Sequence, residues 1–248
     1  MNSNDETAVQ YQKSRITNWD NVAKKRDAWQ GWGKFYHHRM QEIYRFLTSP
    51  GQRVLEVGCG RGDLLAFLQP ERGVGVDFSP EMIQRARAGH AALDALEFIE
   101  ADVHDLSSIH GPFDVIILSD LVNDLWDVQC VLEQVRSLCD SHTRLILNFY
   151  NGFWQFPLNV AQRLNLAVPM LDQNWLTRED VSNMLNLAGF DVVRQSHEIL
   201  WPFPLGDLAN KFLVRLWPFR DLALSTFIIA RPRPEKNSEG PSVSIIVP

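Results

Sequence analysis

Short apolar runs bounded by turn residues alternate along this chain with stretches whose apolar positions recur every three or four residues. The runs predict strands at residues 54–57, 73–77, 96–103, 113–120, 143–150, 191–200 and 222–230. The helical spacing predicts helices at 62–69, 80–93, 127–139 and 177–188, with a short one at 104–109. Ser79-Pro80-Glu81 and Thr177-Arg178-Glu179-Asp180 are N-terminal capping patterns, and Ala188-Gly189 is a helix stop. Strands alternating with helices call for a mostly parallel sheet covered on both faces. An amphipathic helix at 40–47 precedes the first strand, behind a segment rich in aromatic residues around Gly31 and Gly33. Segments 151–175 and 201–221 exceed ordinary connections, and in the second Leu208, Phe212, Leu213, Leu216 and Trp217 fall on one helical stripe.

The end of the first strand carries the densest signal, Val54-Leu55-Glu56-Val57-Gly58-Cys59-Gly60-Arg61-Gly62-Asp63. Glycine at a strand-to-helix turn admits left-handed backbone and leaves room for a ligand against the main chain, beside the positive end of a helix. The dinucleotide fingerprint requires glycine at position 63, where this chain has Asp63. No Tyr-x-x-x-Lys pair accompanies it, so a nicotinamide enzyme is disfavoured. Each acid also has a plainer reading: Glu56 as a partner for Arg53 or a helix-end amide, Asp77 and Asp102 as caps at strand ends.

The order Glu56-x-Gly58-x-Gly60-x-Gly62 resembles motif I of the class I S-adenosylmethionine (SAM)-dependent methyltransferases. The resemblance implies an α/β fold: a seven-stranded doubly wound sheet of the class I methyltransferase type, with an N-terminal helical lid and insertions after strands five and six. It implies a cofactor site formed by Glu56, Gly58, Cys59, Gly60 and Gly62, with Asp77 taking the ribose hydroxyls beside Phe78 and Met82. Ala101, Asp102 and Val103 would hold the adenine, Ser119, Asp120 and Leu121 would form the floor, and Tyr36 or Arg39 from the lid would meet the cofactor carboxylate. Methyl transfer to a protonated oxygen or nitrogen needs a base as well as in-line placement. His37, Asp124 and Tyr150 are the rivals, and Asp120 and Asn123 stand in the same stretch. Many small-molecule relatives have histidine near positions 123 and 124, where this chain has Asn-Asp. An Asn-Pro-Pro-Tyr type motif is missing after the fourth strand, against amino methylation of DNA bases or protein glutamine.

Composition narrows the class further. The chain has 248 residues, 45% of them apolar, and a net charge of −6, which argues against a nucleic-acid substrate. Three cysteines show no metal or disulfide spacing, so no metal site and a reduced, cytoplasmic setting are expected. No run is long and apolar enough for a membrane helix. After a polar linker, Val243-Ser244-Ile245-Ile246-Val247-Pro248 resembles the opening strand of family 2 glycosyltransferases. The expected organisation is a lid at 1–49, a SAM-binding core at 50–232, and at 233–248 a linker with the start of a following domain. The function expected is transfer of a methyl group from SAM to a small-molecule, glycan or lipid-linked acceptor, favouring oxygen. The alternative is a non-catalytic SAM-binding module that regulates a fused glycosyltransferase.

Overall fold

The computed structural model describes residues 3–25, 33–163, 171, 173–200, 210–217 and 219–234. Seven strands form one sheet: β1 (Arg53–Val57), β2 (Arg72–Asp77), β3 (Leu96–Glu100), β4 (Val115–Leu118), β5 (Arg144–Tyr150), β6 (Phe190–Glu198) and β7 (Ser225–Pro232). Their order is β3-β2-β1-β4-β5-β7-β6. The first five are mutually parallel, and β7 runs antiparallel to both β5 and β6. The order of connection reverses between β1 and β4, and in open α/β sheets ligands bind beyond the carboxyl ends of the strands at such a point.

The helices are α1 (Ser3–Lys25), α2 (Gly33–Leu47), α3 (Asp63–Leu68), α4 (Pro80–Gly89), α5 (Val128–Ser137), α6 (Gln155–Arg163) and α7 (Arg178–Leu187). Three of their starts follow side-chain capping. Ser79 Oγ accepts from Met82 N ahead of α4, Asp127 accepts from Cys130 N ahead of α5, and Thr177 and Asp180 form a reciprocal capping box on α7. Helix α7 stops where Gly189 takes a left-handed φ of 83°.

Two cores flank the sheet. One joins Leu55, Val57, Ile116, Leu118 and Leu147 to the inner faces of α5 and α7. The other joins Val54, Val115, Ile117, Ile146 and Phe227 to α3, α4 and α2, whose Tyr36, Met40, Ile43 and Tyr44 are buried. Helix α2 is therefore a full layer of the domain, and it starts seven residues earlier than the amphipathic pattern at 40–47 indicates.

Differences from the sequence expectations are local. Residues 104–109 form turns instead of a helix, with Asp105 N bonded to Asp102 O and Ile109 N to Leu106 O, since so short a segment offers too few main-chain bonds to offset nucleation. Strand β3 ends at Glu100, so Asp102 stands in the following turn. In its described part the stripe after β6 is interrupted: Asn210 and Lys211 are helical, Leu213–Arg215 and Phe219–Leu222 are short 3₁₀ turns, and Leu216 at the end of the first turn has extended backbone with ψ 135°. Leu208, residues 29–32 of the expected lid, 164–170 of the first insertion and the tail from 235 onward lie outside the described residues. Among the described residues no helix is long and apolar enough to cross a membrane.

Candidate functional site

The glycine turn leaves β1 at the switch point, and its three glycines serve different ends. Each has a left-handed φ: 76° at Gly58, 51° at Gly60 and 71° at Gly62. A Cβ on Gly58 would meet Leu121 Cδ1 at 2.8 Å, and one on Gly62 would meet Phe98 Cε1 at 2.3 Å. Those two glycines let protein pack on protein. A Cβ on Gly60 would find no atom within 4 Å, so the open concavity of the turn lies there.

Carboxylates fix this turn. Asp77, at the end of β2, accepts from Gly60 N through Oδ2 at 2.8 Å and from Ser79 N through Oδ1 at 2.9 Å. Burial raises its pKa to about 6 against the lowering effect of those two bonds. Glu56 is buried inside β1 and accepts from Leu65 N at 3.1 Å, which ties the strand to the first turn of α3. That is the helix-end contact, and burial pushes the Glu56 carboxyl well above its ordinary range. Burial likewise raises the Cys59 thiol, leaving it a packing group beside Gly75.

Beyond β4 lies a second polar cluster. Asp120 has a left-handed φ of 54°, rare for a residue with a side chain. Its Oδ1 accepts from Tyr36 Oη at 2.7 Å and from Asn148 Nδ2 at 2.5 Å, while its N–H donates to Asn148 Oδ1 at 3.1 Å. Tyr44 donates to the same Asn148 oxygen at 2.7 Å, Tyr36 Oη stands 3.3 Å from Ser225 Oγ, and the Tyr36 and Tyr150 rings lie 6.1 Å apart. Burial raises Asp120 to about 6, with the Tyr36 and Asn148 bonds opposing it. Tyr36 and Tyr150 are both held well above the ordinary phenol range by burial, then by the Asp120 charge, so they stay protonated donors.

Helix α1 closes the far side. Tyr11, Arg15, Trp19 and Ala23 recur every four residues and form its inner face. Gln12 Nε2 donates to Asp102 at 2.7 Å, Ser79 Oγ donates to Asp20, and Trp19 Nε1 donates to Asp124 at 2.9 Å. Arg15 Nε lies 3.0 Å from Asp124 Oδ1, with the two side chains 5% and 11% exposed, and its guanidinium stacks 3.7 Å above the Tyr11 ring. One helix thus spans the loops after β2, β3 and β4. Breaking a buried pair by removing one partner costs about 3–5 kcal/mol. Arg15→Ala is therefore expected to speed amide exchange throughout α1 by about a hundredfold to a thousandfold or more while β1 and β4 keep their protection. Unchanged exchange in α1 would show that the pair does not anchor it.

The site residues expected from sequence fall into three groups. Glu56, Gly58, Cys59, Gly60, Gly62, Asp77, Asp102, Ser119, Asp120, Leu121 and Tyr36 all surround the strand ends, with Phe78 half-buried beside Asp77. Met82 and Val103 are buried, Val103 within the core on the α5 side, and Ala101 packs against that core. Arg39 instead bonds to Glu42 at 2.9 Å and lies 3.6 Å from Glu198 on β6. Asp124 is engaged by Arg15 and Trp19, and burial raises its carboxyl. His37 is lowered to about 3 by burial and then by the Arg61 charge, and a group that weakly basic stays neutral. Sequence reasoning missed Gln12, Arg15, Asn148 and Ser225; only the four-residue spacing through Arg15 offered a signal.

A family model described as "Methyltransferase domain" matches residues 48–193. The chain is 28% identical over 156 residues to the ubiquinone biosynthesis O-methyltransferase of Neisseria meningitidis serogroup C, covering 57% of this chain and 65% of that protein. It is 33% identical over 86 residues to the phthiotriol/phenolphthiotriol dimycocerosates methyltransferase of Mycobacterium leprae, covering 33% and 30%. The matched stretch spans less than two thirds of either relative. The fold is similar to that of magnesium protoporphyrin IX methyltransferase from Synechocystis PCC 6803 with bound S-adenosylhomocysteine, with a TM-score of 0.60, 17% identity and coverage of 91% and 97%.

Proposed function

Because the chain belongs to the methyltransferase-domain family, we propose that it uses SAM to methylate a small-molecule or lipid acceptor at oxygen. The observation that carries this reading is the open concavity at Gly60, whose N–H is bonded to Asp77. The residues fit the cofactor. Gly60 leaves space against the main chain, and Asp77, with both oxygens on backbone donors, retains lone pairs for hydroxyls. Asp102 is held in place by His104 and Gln12 to receive an amino group. Bound SAM supplies a methyl group on a positively charged sulfur.

The chain's own part is placement and proton removal. Burial raises Asp120 to about 6, and its position beyond β4 is fixed by Tyr36 and Asn148. We assign it the role of accepting the acceptor's proton, in preference to His37, Asp124 or Tyr150. The O-methyltransferase among the relatives favours oxygen. The glycosyltransferase-like residues 243–248 support a proposal that the native chain continues into a nucleotide-sugar domain, which would place the acceptor in glycan metabolism.

The test is formation of S-adenosylhomocysteine from SAM with phenolic and catecholic lipids, glycan intermediates and matched amines. Turnover on oxygen acceptors, with Asp120→Asn lowering kcat by about a hundredfold and leaving SAM affinity intact, is the expected result. Tight SAM binding without turnover on any of them would favour the regulatory module instead.

A further inference from the structure

Two segments leave the rim of the polar cluster and carry an unusual surface. Residues 151–163 follow directly on Tyr150, and residues 210–222 end just before Ser225, whose hydroxyl meets Tyr36. They are fastened to each other and to the sheet: Asn151 Nδ2 donates to Asp221 O at 3.0 Å, Trp154 Nε1 to Leu222 O at 2.8 Å, and Asn151 N to Leu224 O at 2.9 Å. Outward from these bonds stand large apolar side chains. Phe153, Phe156, Phe212, Leu216 and Trp217 are each more than half exposed, Phe156 at 77% and Trp217 at 76%. Side chains that far out in water do not line a groove; they are arranged to enter another phase.

Charge selects that phase. Within a chain of net charge −6, these two segments carry Arg163, Lys211, Arg215 and Arg220 against a single acid, Asp221. All four cations are exposed, and Asp221 lies 3.5 Å from Arg220. A second copy in a two-fold dimer would set this positive patch against itself. Exposed aromatic and aliphatic residues interleaved with Lys and Arg are the composition of a surface that lies in the headgroup region of an anionic bilayer.

We propose that residues 151–163, 210–217 and 219–222 form a docking surface for the face of an anionic lipid bilayer. The rings enter the headgroup boundary while the cations meet lipid phosphates. Since one segment follows directly on Tyr150 and the other ends just before Ser225, docking sets the polar cluster against the membrane. The surface acts independently of methyl transfer.

The test is co-sedimentation of the full chain with phosphatidylcholine vesicles and with vesicles of equal parts phosphatidylcholine and phosphatidylglycerol. Binding to the mixed vesicles that weakens with salt, with little binding to phosphatidylcholine alone, is the expected result. Phe156→Ser with Trp217→Ser should lower it at least about tenfold, and Lys211→Gln and Arg215→Gln about fivefold each. These side chains are exposed, so unchanged circular dichroism and SAM binding will show that the variants fold. Three results would each overturn the proposal: no binding to mixed vesicles, equal binding to both kinds, or binding that the four substitutions leave intact. A dimer in size-exclusion chromatography that Trp217→Ser dissolves, or an acidic protein retained in place of lipid, would assign the face elsewhere.

Discussion

Replacing Asp77 by Ala is expected to lower affinity for SAM by about a hundredfold or more in calorimetry. The Asp77 carboxylate holds Gly60 N and Ser79 N at 2.8 and 2.9 Å, so its loss frees the turn and removes the proposed acceptor for the ribose hydroxyls. Hydrogen bonds to a charged group contribute about 1.5–3 kcal/mol each, and one such loss with part of a second gives that factor. Asp77→Asn, which keeps one acceptor oxygen, should fall between. Unchanged affinity in Asp77→Ala would remove Asp77 from the site and with it the proposed cofactor pose.

The same group predicts opposite pH trends for binding and folding. Its folded pKa of about 6 lies above the ordinary 3.8, so the native state holds the extra proton in between. Its contribution to stability is therefore present below the ordinary value and lost as pH rises through about 6, by roughly 3 kcal/mol for two pKa units. Asp120, also raised to about 6, acts in the same direction. Cofactor affinity should rise over the range in which Asp77 ionises and reduces stability. Melting temperatures and calorimetry on either side of pH 6 check both slopes; a shared direction would contradict the assignment.

Two alanine substitutions in the glycine turn should fail for different reasons. Gly62→Ala combines a left-handed φ of 71° with a Cβ 2.3 Å from Phe98 Cε1 and 2.5 Å from Cζ. Backbone strain of about 1–2 kcal/mol and overpacking of about 1–3 kcal/mol should lower the melting temperature by roughly 5–15 °C. Adding Phe98→Leu should recover the packing part only. Gly60→Ala meets no protein atom, so it should carry only the backbone strain of its left-handed φ of 51°, without the overpacking, and lose SAM affinity because its methyl group enters the open space. Equal stability losses in the two variants would mean that the Phe98 contact at Gly62 costs nothing, and unchanged SAM affinity in Gly60→Ala would mean that no ligand enters the space at Gly60.

The sheet was legible because its central strands are buried on both faces, and such strands read as continuous apolar runs such as Val115-Ile116-Ile117-Leu118. The glycine turn was legible because few other residues tolerate those φ values. Helix α1 was not. Its inner face is built from Tyr11, Arg15 and Trp19, which meet their partners through polar tips, so no apolar stripe marks it. Asp120 was placed at the floor of the pocket, but nothing in the chain announced its left-handed backbone or its bond to Asn148, 28 positions away. Arg39 was assigned toward the cofactor from position alone, whereas its spacing from Glu42 on one helix already supplied a partner.

The place of β7 governs how this protein is made. Lying between β5 and β6, it is the last strand of this sheet to be synthesised and, among the described residues, the only strand paired with β6, and it brings Phe227, Ile228 and Ala230 into the two cores. Until residues 225–232 emerge, β5 presents an open edge and β6 has nothing to pair with, the condition in which nascent chains recruit chaperones or stick to one another. A premature stop ahead of Ser225 would therefore yield no smaller working domain but an unclosed sheet, and synthesis must run nearly to Pro232 before the site formed by the earliest strands is secured.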